Sequence, residues 1–165
     1  MKLKLTELIK FQLFALGSIV FLIIGMYYLF FYNLDEPLIS KAQILGVEHT
    51  IDLFLHNMWV YFVTVGLFFI APLPILYNWG VLCFTIAYNI SAFGIGQTLR
   101  LLWPHGIVEV PTILLYQYLA LKMMLLLYRT RSFRAVLSFV RYNYRWYLLC
   151  GLLVLVGAIL EGMIR

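Results

Sequence analysis

Five apolar runs dominate this chain, near Phe11 to Tyr32, Ile51 to Ala71, Ile75 to Leu99, Ile107 to Leu127 and Trp146 to Ile164. Each is long enough to cross a bilayer as an α-helix at about 1.5 Å of rise per residue. With 64% hydrophobic and 12% charged side chains among 165 residues, too little polar surface is left to wet a soluble fold. The expected architecture is all-α and integral to the membrane, with five transmembrane helices in a single membrane domain over residues 1–165. Only Pro72-Leu73-Pro74 separates the second and third runs, so a tight proline turn should join them as an antiparallel hairpin.

Lys2, Lys4 and Lys10 stand before the first run as they would before a signal-peptide core. That run is too long for such a core and no small-x-small cleavage site follows it, so it reads as a retained anchor. The net charge of +5 raises the question of nucleic acid, but there is no basic, aromatic-interleaved surface outside the apolar runs to bind one. The cations instead order the topology. Lys2, Lys4, Lys10, Lys122, Arg129, Arg131, Arg134, Arg141 and Arg145 fall on one side, and Lys41, Arg100 and Arg165 on the other, nine against three. Because cationic flanks stay inside, the N-terminus is expected in the cytoplasm and the C-terminus outside. Residues Tyr128 to Arg145 then form a basic cytoplasmic connection between helices four and five, amphipathic through Phe133, Val136, Leu137 and Val140 and suited to anionic headgroups. Cys83 and Cys150 lie in apolar runs without disulfide or metal spacing and read as packing residues.

This topology carries ionisable residues from distant parts of the sequence to the outer face. His49, Asp52 and His56 recur at helical spacing at the start of the second span, Arg100 ends the third, His105 and Glu109 open the fourth, and Glu161 lies near the end of the fifth. An acid at the centre of a span costs about 2.5 to 3.5 kcal/mol on insertion scales, which makes such residues functional candidates. Pro104 suits a first helical position, and the helix dipole there favours a neutral His105, a good metal ligand. Glu109 follows one turn deeper, and Pro111 deprives the Ile107 carbonyl of its helical donor.

Three roles fit this cluster. His56, His105, Glu109 and Glu161 have the donor chemistry of a zinc site, closed or with one position open to water. Without metal, a histidine and a carboxylate can act as an acid/base pair, with Glu109, Glu161 and His105 as the catalytic candidates. As packing, His105 would cap its helix and Glu109 would pair with Arg100 or a histidine. His49, Asp52 and Arg100 would support or orient the others. Asn78, Asn89 and Gln117 read as interhelical hydrogen-bonding groups, and Ala87/Ser91, Ala92/Gly96 and Ala158/Gly162 as close-contact pairs.

The run Trp103-Pro104-His105-Gly106-Ile107-Val108-Glu109-Val110-Pro111 resembles the signature of the stage II sporulation protein M family, in which Pro-His-Gly-x-x-Glu-x-Pro opens a late helix. Asn78-Trp79-Gly80 stands where that family tends to place an Asn-Gly pair, interrupted here by Trp79, and Ile159-Leu160-Glu161-Gly162 resembles its last-helix glutamate. The likeness covers about Asp52 to Arg165. It implies a multi-pass protein of the bacterial cell membrane. Eponymous members belong to a peptidoglycan-remodelling machine and look like scaffolds; others are encoded with circular bacteriocins, as candidates for leader removal, end-joining or export. The short form here resembles the stand-alone bacteriocin type.

The resulting expectation is an outer-leaflet His/Glu site, with zinc as the cofactor to test, that processes or exports a hydrophobic peptide as a peptidase or transpeptidase. The alternatives are a non-enzymatic scaffold or transport partner among other membrane subunits, and immunity by binding a membrane-active peptide. Oligomeric state is not encoded legibly.

Overall fold

A computed structural model describes the backbone of residues 3–32 and 47–164, and side chains over 3–32, 51–100, 102–103 and 106–160. The elements are α1 (Leu5–Met26), continued by a π-helical turn at Tyr27–Phe31, then α2 (Val47–Gly66), a 3-10 turn at Phe68–Ile70, α3 (Pro72–Thr130), α4 (Phe133–Tyr142) and α5 (Tyr144–Ile164). No strand occurs among the described residues. Among the described residues three segments, Leu5–Phe31, Pro72–Arg100 and Gly106–Thr130, are long and apolar enough to cross a membrane, and a fourth is gained if α4 and α5, bent by 65°, count as one. Helices satisfy their own backbone, as a span in lipid must. Apolar side chains also face outward, Phe21 being 76% and Leu29 79% exposed, a surface that water would not tolerate over such an area. The chain is an α-helical, multi-pass membrane protein.

The hairpin expected between the second and third runs forms, but its turn lies before the prolines, which are both helical. α2 stops at Gly66, the 3-10 turn reverses the chain, and Pro72 enters the first turn of α3, where its missing N–H has no partner to lose. Asn78 Nδ2 donates to Thr64 Oγ1 at 3.4 Å across the hairpin. The next reversal differs from expectation. Helical backbone runs through Leu99 to Val110, so Pro104 and His105 do not begin a new helix, and the non-helical residue is Gly94, at φ 77° and ψ 163°. That conformation is open to glycine and costly for any residue with a Cβ, so the break falls where the backbone is freest rather than at the proline.

Beyond this break α3 returns alongside its own first arm. Ile75 packs in one cluster with Ala120, Cys83 in another with Leu114, and Trp79 Nε1 donates to Gln117 Oε1 at 2.8 Å. From Thr112 to Ala120 every side chain except Ile113 is buried. This second arm is the mast around which α1, α2 and α5 gather, with Tyr61, Tyr116, Leu119, Met123 and Cys150 in the largest core cluster. Cys83 and Cys150 are buried and unbridged, as packing residues should be.

One end of the bundle collects the N-terminus, the α2–α3 turn, and α4. Leu3 N donates to Asn143 Oδ1 at 3.1 Å, Tyr128 Oη donates to the Phe69 carbonyl at 3.2 Å, and the Phe68 and Phe133 rings lie 6.4 Å apart. The cations of Lys4, Lys10, Arg129, Arg131, Arg134, Arg141 and Arg145 are all exposed on elements that meet at this end. α3 terminates through Arg131 in the left-handed region, at φ 49°. α4 is amphipathic, but its apolar stripe splits: Val136 and Phe139 are buried against the core, while Phe133 and Leu137 face outward. The helix sits on protein by one edge, which turns the anticipated stripe partly away.

Candidate functional site

Glu109 lies on the second arm of α3, one turn before the fully buried stretch. α2 runs beside it, and Asn57 Nδ2 donates to Glu109 Oε1 at 3.0 Å. A hydrogen bond to a carboxylate is stronger than one between neutral groups, so it holds both helices in register at this level. The pair opens onto a cavity of about 350 Å³ between α2, both arms of α3 and α5. Its apolar walls come from Val60, Leu82, Ile113, Leu153 and Val154, and its aromatic walls from Tyr77, Trp79 and Tyr116. Polar groups are set into these walls: His56, Asn57, Asn78, Thr85, Glu109 and Thr112. Thr112 Oγ1 donates to the Val108 carbonyl at 2.6 Å, which leaves its methyl group and oxygen lone pairs at the wall.

A second cavity, of about 340 Å³, lies on the other side of Glu109. It is lined by Leu16 of α1 and by Ile86, Leu99, Trp103, Ile107 and Val110 of α3, and it shares Leu82, Glu109 and Ile113 with the first. Pro111 also contributes to it, and the Pro111 carbonyl accepts from Gln12 Nε2 at 3.4 Å, fastening α1 beside this wall.

The sequence-derived site residues divide three ways. His56 and Glu109 line the same cavity. Asp52 and Arg100 are exposed and do not line it. The side chains of His49, His105 and Glu161 lie outside the described residues. Among the described residues no group of three or more histidine, cysteine, aspartate or glutamate side chains is placed to hold a metal. Of the four anticipated zinc donors, the first cavity thus displays one imidazole and one carboxylate.

Asn57 is a polar residue at the start of the second span to which the sequence assigned no role. It follows His56 directly, and an amide in an apolar helix carries the same signal as Glu109, though weaker because its burial costs less. Trp79, Tyr116 and Thr85 gave no signal separable from packing. At the opposite end, Glu7 was hidden among lysines: its Oε2 lies 2.6 Å from Lys122 Nζ and accepts from Tyr118 Oη at 3.3 Å.

A model of the family described as Stage II sporulation protein M matches residues 40–164, a stretch that contains α2 to α5 and so both partners of the Asn57–Glu109 bond. No curated protein and no solved structure matches the chain.

Proposed function

The chain belongs to the stage II sporulation protein M family, and from that premise we propose that it acts in the bacterial cell membrane on a hydrophobic peptide, in leader removal, end-joining or export of a circular-bacteriocin type of product. The observation that carries this reading is a carboxylate inside the motif Pro104-His105-Gly106-Ile107-Val108-Glu109, held by Asn57 against an apolar cavity. Apolar walls with a few convergent polar groups are the usual make-up of a ligand site. Asn57 holds one oxygen of Glu109 in place beside the cavity, the positioning that a general base needs.

The finer topology belongs to the same proposal: five spans, the N-terminus cytoplasmic and the C-terminus outside. It is supported by the gathering of exposed Lys and Arg at the end where Leu3 meets Asn143. Glu109 then faces the outer half of the bilayer. In this proposal His105, on α3 with Glu109, and Glu161, on α5, are the further members of a His/Glu set with His56 and Glu109. Zinc bound there would supply an activated water; the chain's own part is to position the peptide and shuttle the proton.

Co-expression with a circular-bacteriocin precursor tests this reading. Glu109→Gln, nearly isosteric, should accumulate unprocessed precursor while the protein remains in the membrane at normal level. Full production of mature peptide by that variant would overturn it.

A second reading, a non-enzymatic scaffold, is favoured by one specific feature. Asn57–Glu109, Asn78–Thr64 and Trp79–Gln117 are all internal interhelical bonds, as a purely structural polar network would be. In that case Glu109→Gln matures the peptide normally and the loss appears only in assembly with other membrane subunits.

A further inference from the structure

Around α4 the chain is basic without any acid to answer it. No aspartate or glutamate occurs between Glu109 and Glu161, and from Arg129 to Arg145 every cation is an arginine, five in all and each exposed. Among the described residues the ion pairs are those of Lys4 and Lys122 with Glu7, and none involves these arginines.

Two of the five stand on a face whose direction the core fixes. Val136 and Phe139 are buried, which sets the rotation of α4, while Phe133 and Leu137 are 65% and 61% exposed. Arg141 follows Phe133 and Leu137 at the same four-residue step, and Arg134 is the neighbour of Phe133, so cations and apolar groups share one outward ridge. α4 follows the end of α3 and is bent by 65° from α5, so it lies across the ends of two apolar helices. Tyr128, Tyr142 and Tyr144 are exposed at the same junctions, and tyrosines of this kind mark the headgroup level of a membrane.

We propose that the outward ridge of α4 is a docking surface for anionic phospholipid, in which Arg134 and Arg141 hold headgroup phosphates while Phe133 and Leu137 enter the acyl boundary. This goes beyond peptide processing and stands without it. The stripe read from the sequence is corrected in the same step: Val136 belongs to the protein core, and the lipid face is Phe133 and Leu137 with the two arginines. Charge complementarity selects the occupant. Arginines without a described acidic partner, set among exposed apolar side chains, fit a surface that is negative at its face and hydrocarbon just behind it. A soluble anion matches the first property and not the second. Retention of cations inside the cell would be served equally by lysine. Arginine adds a planar fork that gives two N–H bonds to one phosphate, which an ammonium group does not. Arg134 and Arg141 stand about 10 Å apart along the axis at about 1.5 Å per residue, room for each to hold its own headgroup.

Native mass spectrometry of the full-length protein in detergent, with dioleoyl phosphatidylglycerol and dioleoyl phosphatidylcholine in competition, tests this. Phosphatidylglycerol should be retained preferentially, and Arg134→Gln and Arg141→Gln should each cut the preference about fivefold. Melting temperatures should not change, because both side chains are exposed. Arg134→Lys combined with Arg141→Lys keeps the charge, and should still lose part of the preference. Leu137→Ser should weaken retention of phosphatidylglycerol, and excess glycerol phosphate, which has the phosphate without acyl chains, should not displace it. Lys4→Gln combined with Lys10→Gln removes two exposed cations from the same end of the bundle and should leave the preference intact. Equal retention of the two lipids, full preference in the lysine pair, the same loss in the Lys4 and Lys10 variant, or displacement by glycerol phosphate would overturn the proposal.

Discussion

Lys122 Nζ lies 2.6 Å from Glu7 Oε2, joining the first turn of α1 to the second arm of α3 across 115 residues of sequence. Tyr118, one turn before Lys122, donates to the same oxygen. Lys122 is 22% and Glu7 43% exposed, so solvent screens part of their attraction.

Glu7→Gln and Lys122→Met should each lower the melting temperature in detergent, and the double variant should lose less than both effects added together. Neighbouring partners are non-additive in this way when the single changes remove one shared interaction. Strict additivity would show that the two residues act separately.

Gly94→Ala should destabilise the fold by about 1 to 3 kcal/mol, the usual cost of forcing a side chain into sparsely allowed backbone. Gly96→Ala is the matched control, since Gly96 is helical and a Cβ there meets nothing within 4 Å. Unfolding in mixed micelles with increasing denaturing detergent reads the difference. Equal stability of the two variants would remove the role assigned to Gly94.

Asn57→Leu removes the 3.0 Å donor to Glu109 and should cost about 1.5 to 3 kcal/mol, the worth of a hydrogen bond to a charged group. Combined with Glu109→Leu, the loss should be smaller than the two single losses added, because both single changes remove the same bond. The same micelle titration decides it: strictly additive losses contradict the pairing.

The zinc form of the proposed site predicts stoichiometric metal in the detergent-purified protein and its loss in His105→Ala and in Glu109→Gln. Elemental analysis of the folded variants reads this directly. The topology has a separate measurement: a reporter fused after Arg165 should be active outside the cytoplasm, and a cytoplasmic signal would disperse the proposed outer cluster.

What could be read from the residues was whatever is costly in an apolar setting. Pro72 marked its turn because a proline cannot sit in a helix interior unnoticed, and Glu109 marked the site because an acid in an apolar run needs a reason. Gly94 was silent, since a glycine's left-handed backbone is invisible until the chain is folded, and Pro104 drew the helix start to itself instead. Asn57 went unnoticed as a partner because its acceptor lies 52 residues away. The orientation of α4 misled for a related reason: Phe133 and Phe139 are alike in composition, and only the neighbouring core decides that Phe139 goes in.

The bond from Leu3 N to Asn143 Oδ1 spans 140 residues, and it sets an order of events during synthesis. At roughly 5 to 20 residues per second, that bond can close only about 7 to 30 s after Leu3 is made. The body of α1 can dock earlier, once the second arm of α3 has supplied Leu114 and Lys122. A chain stalled before Asn143 therefore holds its first helix seated along α3 but unfastened at its N-terminal end.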